Sequence, residues 1–209
     1  MPTQYSLEHV LECIRTEQPS IDMVLCTGDI SQDASAAAYQ RFAQQVATLG
    51  APMRWFAGNH DERLALQNAC AGTDRLQPVT DLGAWRIVML DSSVAGERHV
   101  LVALHHHPVP VGSRWIDQIG LHDAHDLHAL IQRYSAVKAV VWGHVHQEFD
   151  VQKDGVRWLA APSTCIQFTP KSDDFAVEDQ APGYRWLRLY DDGQLETGVS
   201  RVEGVEFTF

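Results

Sequence analysis

The sequence predicts an α/β fold forming a single domain over residues 1–209, and three observations carry that prediction. Up to residue 144, short apolar runs alternate with longer segments of helical periodicity, the pattern of βαβ units. The last third then changes to alternating runs broken by Asp-Gly pairs, which mark antiparallel hairpins. With 209 residues and 45% hydrophobic composition the chain can bury one core, and a 21% share of charged residues excludes a disordered chain.

Each element has a local reason. Ser6 to Glu17 (SLEHVLECIRTE) sets Leu7, Val10, Leu11 and Ile14 at helical spacing, with Ser6 as the expected cap and Pro19 past the end. Asp22 to Asp29 (DMVLCTGD) is an apolar run stopped by Gly28, a buried strand. Residues 33–50 read as a helix capped by Asp33 and closed by Gly50. Met53 to Gly58 (MRWFAG) is the next strand, and the resulting βαβ unit requires a parallel pair with a right-handed crossover. A helix follows from Asp61 to Ala71, then strands at Trp85–Asp91 and Val100–His107, a helix at Leu121–Tyr134 and a strand at Val137–His144. Asp154-Gly155 and Asp192-Gly193 each punctuate a hairpin.

Composition removes several function classes. The net charge is −11 and no basic patch stands out, which disfavours binding of nucleic acid through its phosphates. An acidic protein still reaches a phosphoester when metal ions supply the positive charge. Cys13, Cys26, Cys70 and Cys165 form no CxxC pair, and Cys26 and Cys165 read as buried thiols, which suits a reducing cytoplasm. The start, MPTQYSLEHV, lacks the basic-then-apolar order of a signal peptide, and no apolar run approaches the roughly 20 residues that span a bilayer. The expected location is therefore cytoplasmic, without a membrane partner.

Four strand ends carry the chemistry: Gly28-Asp29, Gly58-Asn59-His60-Asp61, His105-His106-His107-Pro108 and Gly143-His144-Val145-His146. Each follows an apolar run, and carboxyl ends of strands are where α/β sheets bind ligands. Taken singly, Gly-Asp is an ordinary turn and a strand-end histidine is ordinary structure. Together they supply imidazole, carboxylate and amide oxygen, a set suited to Mn, Fe, Zn or Co rather than Ca or Mg alone. In an extended chain His144 and His146 point to one side.

These motifs, TGD, AGNHDE, HHHP and GHVH, resemble those of the calcineurin-like metallophosphoesterases, and most nearly the bacterial cyclic-AMP phosphodiesterases of the class III type. Supporting stretches, LHHHPVPVGSRWIDQ and APSTCIQF among them, extend the likeness over almost the whole chain. The resemblance implies a four-layer αββα sandwich of two mixed sheets, with two metal ions (Fe or Mn, with Zn or Co as alternatives) at the strand ends. It implies Asp29 as a bridging carboxylate, Asn59, His105 and His144 as ligands of one metal, and His146 as a ligand of the other. His106 stands as the alternative to His105. His60 is implied as the group that contacts the phosphate and protonates the leaving oxygen, with Asn59 and His146 also at the substrate. The implied reaction is hydrolysis of 3′,5′-cyclic AMP to 5′-AMP by a metal-activated hydroxide. Other small phosphodiesters, a phosphomonoester, or metal and nucleotide binding with weak catalysis are the alternatives, and a homodimer is compatible with the resemblance.

The chain departs from the family in two places. The family's first strand, ending in Asp-x-His, has no counterpart here, because His9 lies within the first helix without an Asp two residues before it. A chain recorded from a late start, a one-metal variant, and lost catalysis are the three accounts, and one bound metal is the corresponding expectation. The connection Ser92–His99 is also shorter than the helical segment relatives carry there. Elsewhere, His122, His125 and His128 read as a solvated helix face. Trp115 fits equally a packing role and an edge of the substrate cleft. Cys165 has no activating motif around it.

Overall fold

The computed structural model describes residues 3–89 and 99–204. In chain order the elements are α1 (Thr3–Glu17), β1 (Val24–Cys26), α2 (Ala36–Ala47), β2 (Met53–Trp55), α3 (Arg63–Ala69), β3 (Val79–Leu82), β4 (Trp85–Val88), β5 (His99–Leu104), α4 (Arg114–Asp117), α5 (Ala124–Gln132), β6 (Val137–Trp142), β7 (Phe149–Lys153), β8 (Val156–Ala160), β9 (Gln167–Phe168), β10 (Val177–Glu178), β11 (Gly183–Leu189) and β12 (Leu195–Arg201).

The large sheet runs β3-β4-β5-β6-β8-β7, parallel through β4, β5, β6 and β8 and antiparallel at both edges. On β5 and β6 the runs 100–104 and 139–142 are apolar without interruption because both faces are covered. On β5, Val100, Val102 and Leu104 face one way, toward Ile116 of α4 and Ile131 of α5. Leu101 and Ala103 face the other way, with Trp85, Ile87, Ala139, Val141 and Leu159, and meet Leu25, Phe56, Leu187, Leu189 and Leu195. That opposing layer is the parallel pair β1–β2 beside the hairpin β11–β12. Beyond β1–β2, Cys26, Met53 and Trp55 pack on Leu11, Tyr39, Val46 and Leu66 from α1, α2 and α3. Helices, strands, sheet and helices make the four-layer α/β sandwich.

The parallel β1–β2 pair and the Asp154-Gly155 turn are as the sequence requires; both turn residues have positive φ, 53° and 79°, as a two-residue type I′ hairpin needs. Other local readings need correction. Ser6 does not cap α1, which starts at Thr3; it is fully buried and its hydroxyl donates to Thr3 O at 2.9 Å. Ser35 caps α2 by accepting from Ala38 N at 3.2 Å, while Asp33 accepts from Ser35 N just outside it. The helix read over Asp61 to Ala71 is the shorter α3 (Arg63–Ala69), capped by Glu62. The β3–β4 hairpin turns at Gly83 without an Asp-Gly signal. Cys165 is half-buried, whereas Cys26 and Cys70 are buried, and all four thiols are unpaired. Among the described residues no strand precedes β1, and β1–β2 and β11–β12 remain separate pairs. The α1 end is tied to β11, where Tyr184 OH accepts from Gln18 Nε2 and donates to Glu17 Oε2. Leu90, Asp91 and the shortened connection up to residue 98 lie outside the described residues.

Candidate active site

Two glycines let the loops after β1 and β2 touch. Gly28 has φ 94°, and a Cβ there would lie 2.5 Å from His105 Nδ1 and 2.8 Å from the Gly58 Cα. A Cβ on Gly58 would run into the Asp29 carboxylate. Asp61 then ties the two loops together. Its carboxylate accepts from Gly58 N at 2.9 Å and from Ile30 N, Ser31 N and Tyr39 OH, each at 3.1 Å. The sequence reading set Asp61 in a chemistry-bearing strand end and at a helix start, without giving its carboxylate a role of its own. The available signal was that Glu62 could cap the helix, which left the neighbouring carboxylate free for another use.

At the point where these loops meet the ends of β5 and β6, lone pairs converge. The Nδ1–H of His105 donates to Thr27 O at 2.8 Å, so its Nε2 carries the lone pair in the neutral ring. That Nε2 lies 3.0 Å from Asn59 Oδ1 and 3.4 Å from Asp29 Oδ2. His144 Nδ1 lies 3.0 Å from the same Asn59 oxygen, and His144 Nε2 is buried with no partner. A bare imidazole nitrogen facing a carboxylate and an amide oxygen gains nothing until a shared positive charge sits among them. His105, His106 and His144 each bring a ring nitrogen within 4.8 Å of the others, so His106 joins the same cluster. His146 stacks on Phe168 (4.2 Å between centroids, 8°), and its buried Nδ1 has no partner. The donor set fits a metal ion.

His144 and His146 do not share a side through extended alternation. Both have left-handed backbone, φ 63° and 46°, around Val145, which is fully buried. Such non-glycine conformations cost on the order of 1–3 kcal/mol each and persist where surrounding packing fixes them.

Burial sets the protonation state. It is the main cause that pushes His144 down to about 3, with the neighbouring His105, His106 and His107 adding to it. It pushes His146 down to about 4, and it also lowers His106 and His107. Burial works to raise the Asp29 carboxyl, but His105 and the His60 N–H outweigh it and bring the group down to about 2. At neutral pH these rings are therefore unprotonated and Asp29 is ionised, the forms that bind metal.

His60 stands beside the cluster at the exposed mouth, and its backbone N–H donates to Asp29 Oδ1 at 2.9 Å. Gln32 Nε2 donates to its Nδ1 at 3.0 Å, which leaves the ring proton on Nε2. Gln32 was not picked out in the sequence. His107, buried in the protein, lies 3.4 Å from Asp117, whose carboxylate also accepts from Val111 N and Gly112 N. Asp29, Asn59, His105 and His144 thus touch directly, and Asp29, His105 and His60 all influence the titration of His146. His122 is exposed in the turn before α5 and close enough to His106 to help lower it, His125 is exposed on α5, and His128 stacks on Trp158. No helix of the described residues is long and apolar enough to cross a membrane.

Known proteins share this architecture. A cyclic-AMP phosphodiesterase, CpdA, of Pseudomonas aeruginosa is 51% identical over 99% of this chain and 84% of its own. CpdA of Escherichia coli K12 is 40% identical over 98% and 83%. The alignment with the first runs over 229 positions against 209 residues, so at least 20 positions have no counterpart in this chain. Among solved structures, a dimetal phosphatase from Danio rerio superposes with TM-score 0.63 at 14% identity, covering 96% of this chain and 89% of that one. GAP50, the anchor in the inner membrane complex of Plasmodium, superposes with TM-score 0.68 at 13% identity, covering 100% and 83%. Those two likenesses speak for the fold. The calcineurin-like phosphoesterase model matches residues 3–148, and with the full-length relatives this shows that the chain belongs to the calcineurin-like phosphoesterase family.

Proposed function

We propose that this chain is a metal-dependent phosphodiesterase that hydrolyses 3′,5′-cyclic AMP to 5′-AMP. The observation that carries the reading is the convergence of Asp29, Asn59, His105 and His144 on one point, where the His105 Nε2 lone pair faces the Asn59 and Asp29 oxygens. The choice of cyclic AMP leans on the two CpdA relatives. Asp29, Asn59, His144 and His105 or His106 would hold one cation, with His146 directed to a second. Iron or manganese suits this mixed set, and zinc or cobalt would also fit. Such ions supply a Lewis acid for the phosphoryl oxygens and lower the pKa of water.

The chain's own part is positioning and proton transfer. Asn59 and His146 line the place where the phosphoryl group sits. His60, with its proton on Nε2, donates to the phosphoryl group and then to the departing ribose 3′ oxygen. Gln32 holds that tautomer by donating to Nδ1. A reducing compartment suits the four unpaired thiols.

The test is metal content by plasma mass spectrometry together with chromatography of the products from cyclic AMP. Metal-loaded protein that releases 5′-AMP supports the reading, and the count, one or two ions per chain, tells whether a second cation is held. Release of 3′-AMP would mean that the 5′ oxygen leaves instead. Nucleotide binding without turnover in the metal-loaded protein would overturn the enzyme reading in favour of a binding protein.

A further inference from the structure

Three aromatic rings pack together next to the candidate ligand His146. Phe168, on β9, lies flat against His146 at 4.2 Å. Trp115, on α4, meets Phe168 edge-on at 5.1 Å. Phe175 meets both, at 5.4 Å from Phe168 and 5.2 Å from Trp115. Phe175 is nonetheless 60% exposed, one of the most exposed large apolar side chains described.

Its position is held by the backbone around it. Phe168 pairs with Val177 across the β9–β10 hairpin, Thr169 N donates to Ala176 O at 2.9 Å, and Arg114 N donates to Ser172 O at 3.0 Å. A hairpin anchored at both ends and tied to α4 thus presents an aromatic ring to solvent, backed by two other rings. From the candidate ligand His146 to Phe175 the path is two ring-to-ring steps of 4.2 and 5.4 Å.

We propose that Trp115, Phe168 and Phe175 form a stacking platform for the base of a cyclic nucleotide, with Phe175 as the ring that meets it. This rests on the phosphodiesterase reading and extends it to what the enzyme recognises beyond the phosphate. In a cyclic nucleotide one sugar ring separates the phosphorus from the base, so a phosphoryl group at His60 and His146 leaves the base beside these rings. An aromatic face reads the area of a base and not its hydrogen-bonding edge. Purines should therefore be preferred to pyrimidines, and cyclic AMP and cyclic GMP treated alike by this contact.

The test compares cyclic AMP with ribose 3′,5′-cyclic phosphate, which has the same phosphodiester ring and no base. Phe175→Ala should raise KM for cyclic AMP about 5- to 30-fold, the lower part of what base stacking contributes. The kcat/KM for the abasic substrate should not change. Phe175→Leu, which keeps an apolar side chain without a π face, should behave like the alanine variant, and Phe175→Trp should retain the wild-type KM. NMR titration with 5′-AMP reads the same contact without turnover, and the alanine variant should weaken Kd by a similar factor. Equal losses on both substrates would mean the ring acts only by holding the hairpin, and unchanged KM for cyclic AMP would place the base elsewhere; either result overturns the platform. Metal-loaded wild-type protein that cleaves neither substrate overturns the phosphodiesterase reading itself and the platform with it.

Discussion

Removing the Asp61 carboxylate should loosen the site without touching any proposed metal ligand. Four donors converge on it: the backbone N–H groups of Gly58, Ile30 and Ser31, and the hydroxyl of Tyr39. A hydrogen bond to a charged group contributes about 1.5–3 kcal/mol, and a buried donor left unmatched costs about 1–3 kcal/mol. Tyr39 and Ser31 are buried and have little recourse to water, whereas Gly58 and Ile30 lie nearer solvent and recover part of their loss. The four contributions therefore do not add in full, and Asp61→Ala should destabilise the protein by about 3–5 kcal/mol. For a chain of this size that lowers Tm by roughly 8–15 °C. Tyr39→Phe removes one of the four bonds and should cost about 1.5–3 kcal/mol. Urea denaturation of the metal-free proteins measures the loss, and manganese titration measures the site. Because Gly58 and Ile30 flank Asn59 and Asp29, metal affinity should fall along with stability. A loss under about 1 kcal/mol with wild-type metal affinity would refute the view that Asp61 assembles the site.

Gly58→Ala should act on the same contact from the other side, since its Cβ collides with the Asp29 carboxylate; metal affinity should drop at least tenfold, read by competition with a chelating dye. Asp29→Ala should abolish metal uptake and activity, whereas His60→Ala should keep the metal and slow turnover about 10²–10⁴-fold. Loss of all metal from His60→Ala would show that its assigned role is wrong. Replacing His144 or His146 should not change how metal affinity varies between pH 8 and about 5, because burial holds His144 near 3 and His146 near 4, and protons compete for these two rings only below that range. The same depressed values set the stability of the metal-free protein. Unfolded histidines take up protons from about 6.5 downward while the folded ones do not, so stability is greatest above that pH and is lost as pH falls toward 4. A urea midpoint that rises on acidification over this window would contradict that sign.

The layers of this protein were legible in the chain because apolar periodicity is local. Unbroken apolar runs at 100–104 and 139–142 announce strands covered on both faces, and Asp154-Gly155 admits few turns besides the one it makes. The strand-end residues Asp29, Asn59, His105 and His144 were legible for the same reason, since each ends such a run. What only the tertiary structure decided is how side chains far apart in sequence share one point. Asp61 reads as the last residue of a polar strand end until Ile30, Ser31 and Tyr39 are seen to converge on it from 22 to 31 residues away. Gln32 reads as a surface amide until it is found on His60. His106 cannot be ranked against His105 by spacing, because the choice depends on which ring nitrogen Thr27 O engages. Periodicity fixes which face a residue occupies, but the partners of a polar atom are set by contacts between distant segments, and those exist only once the sheets have packed.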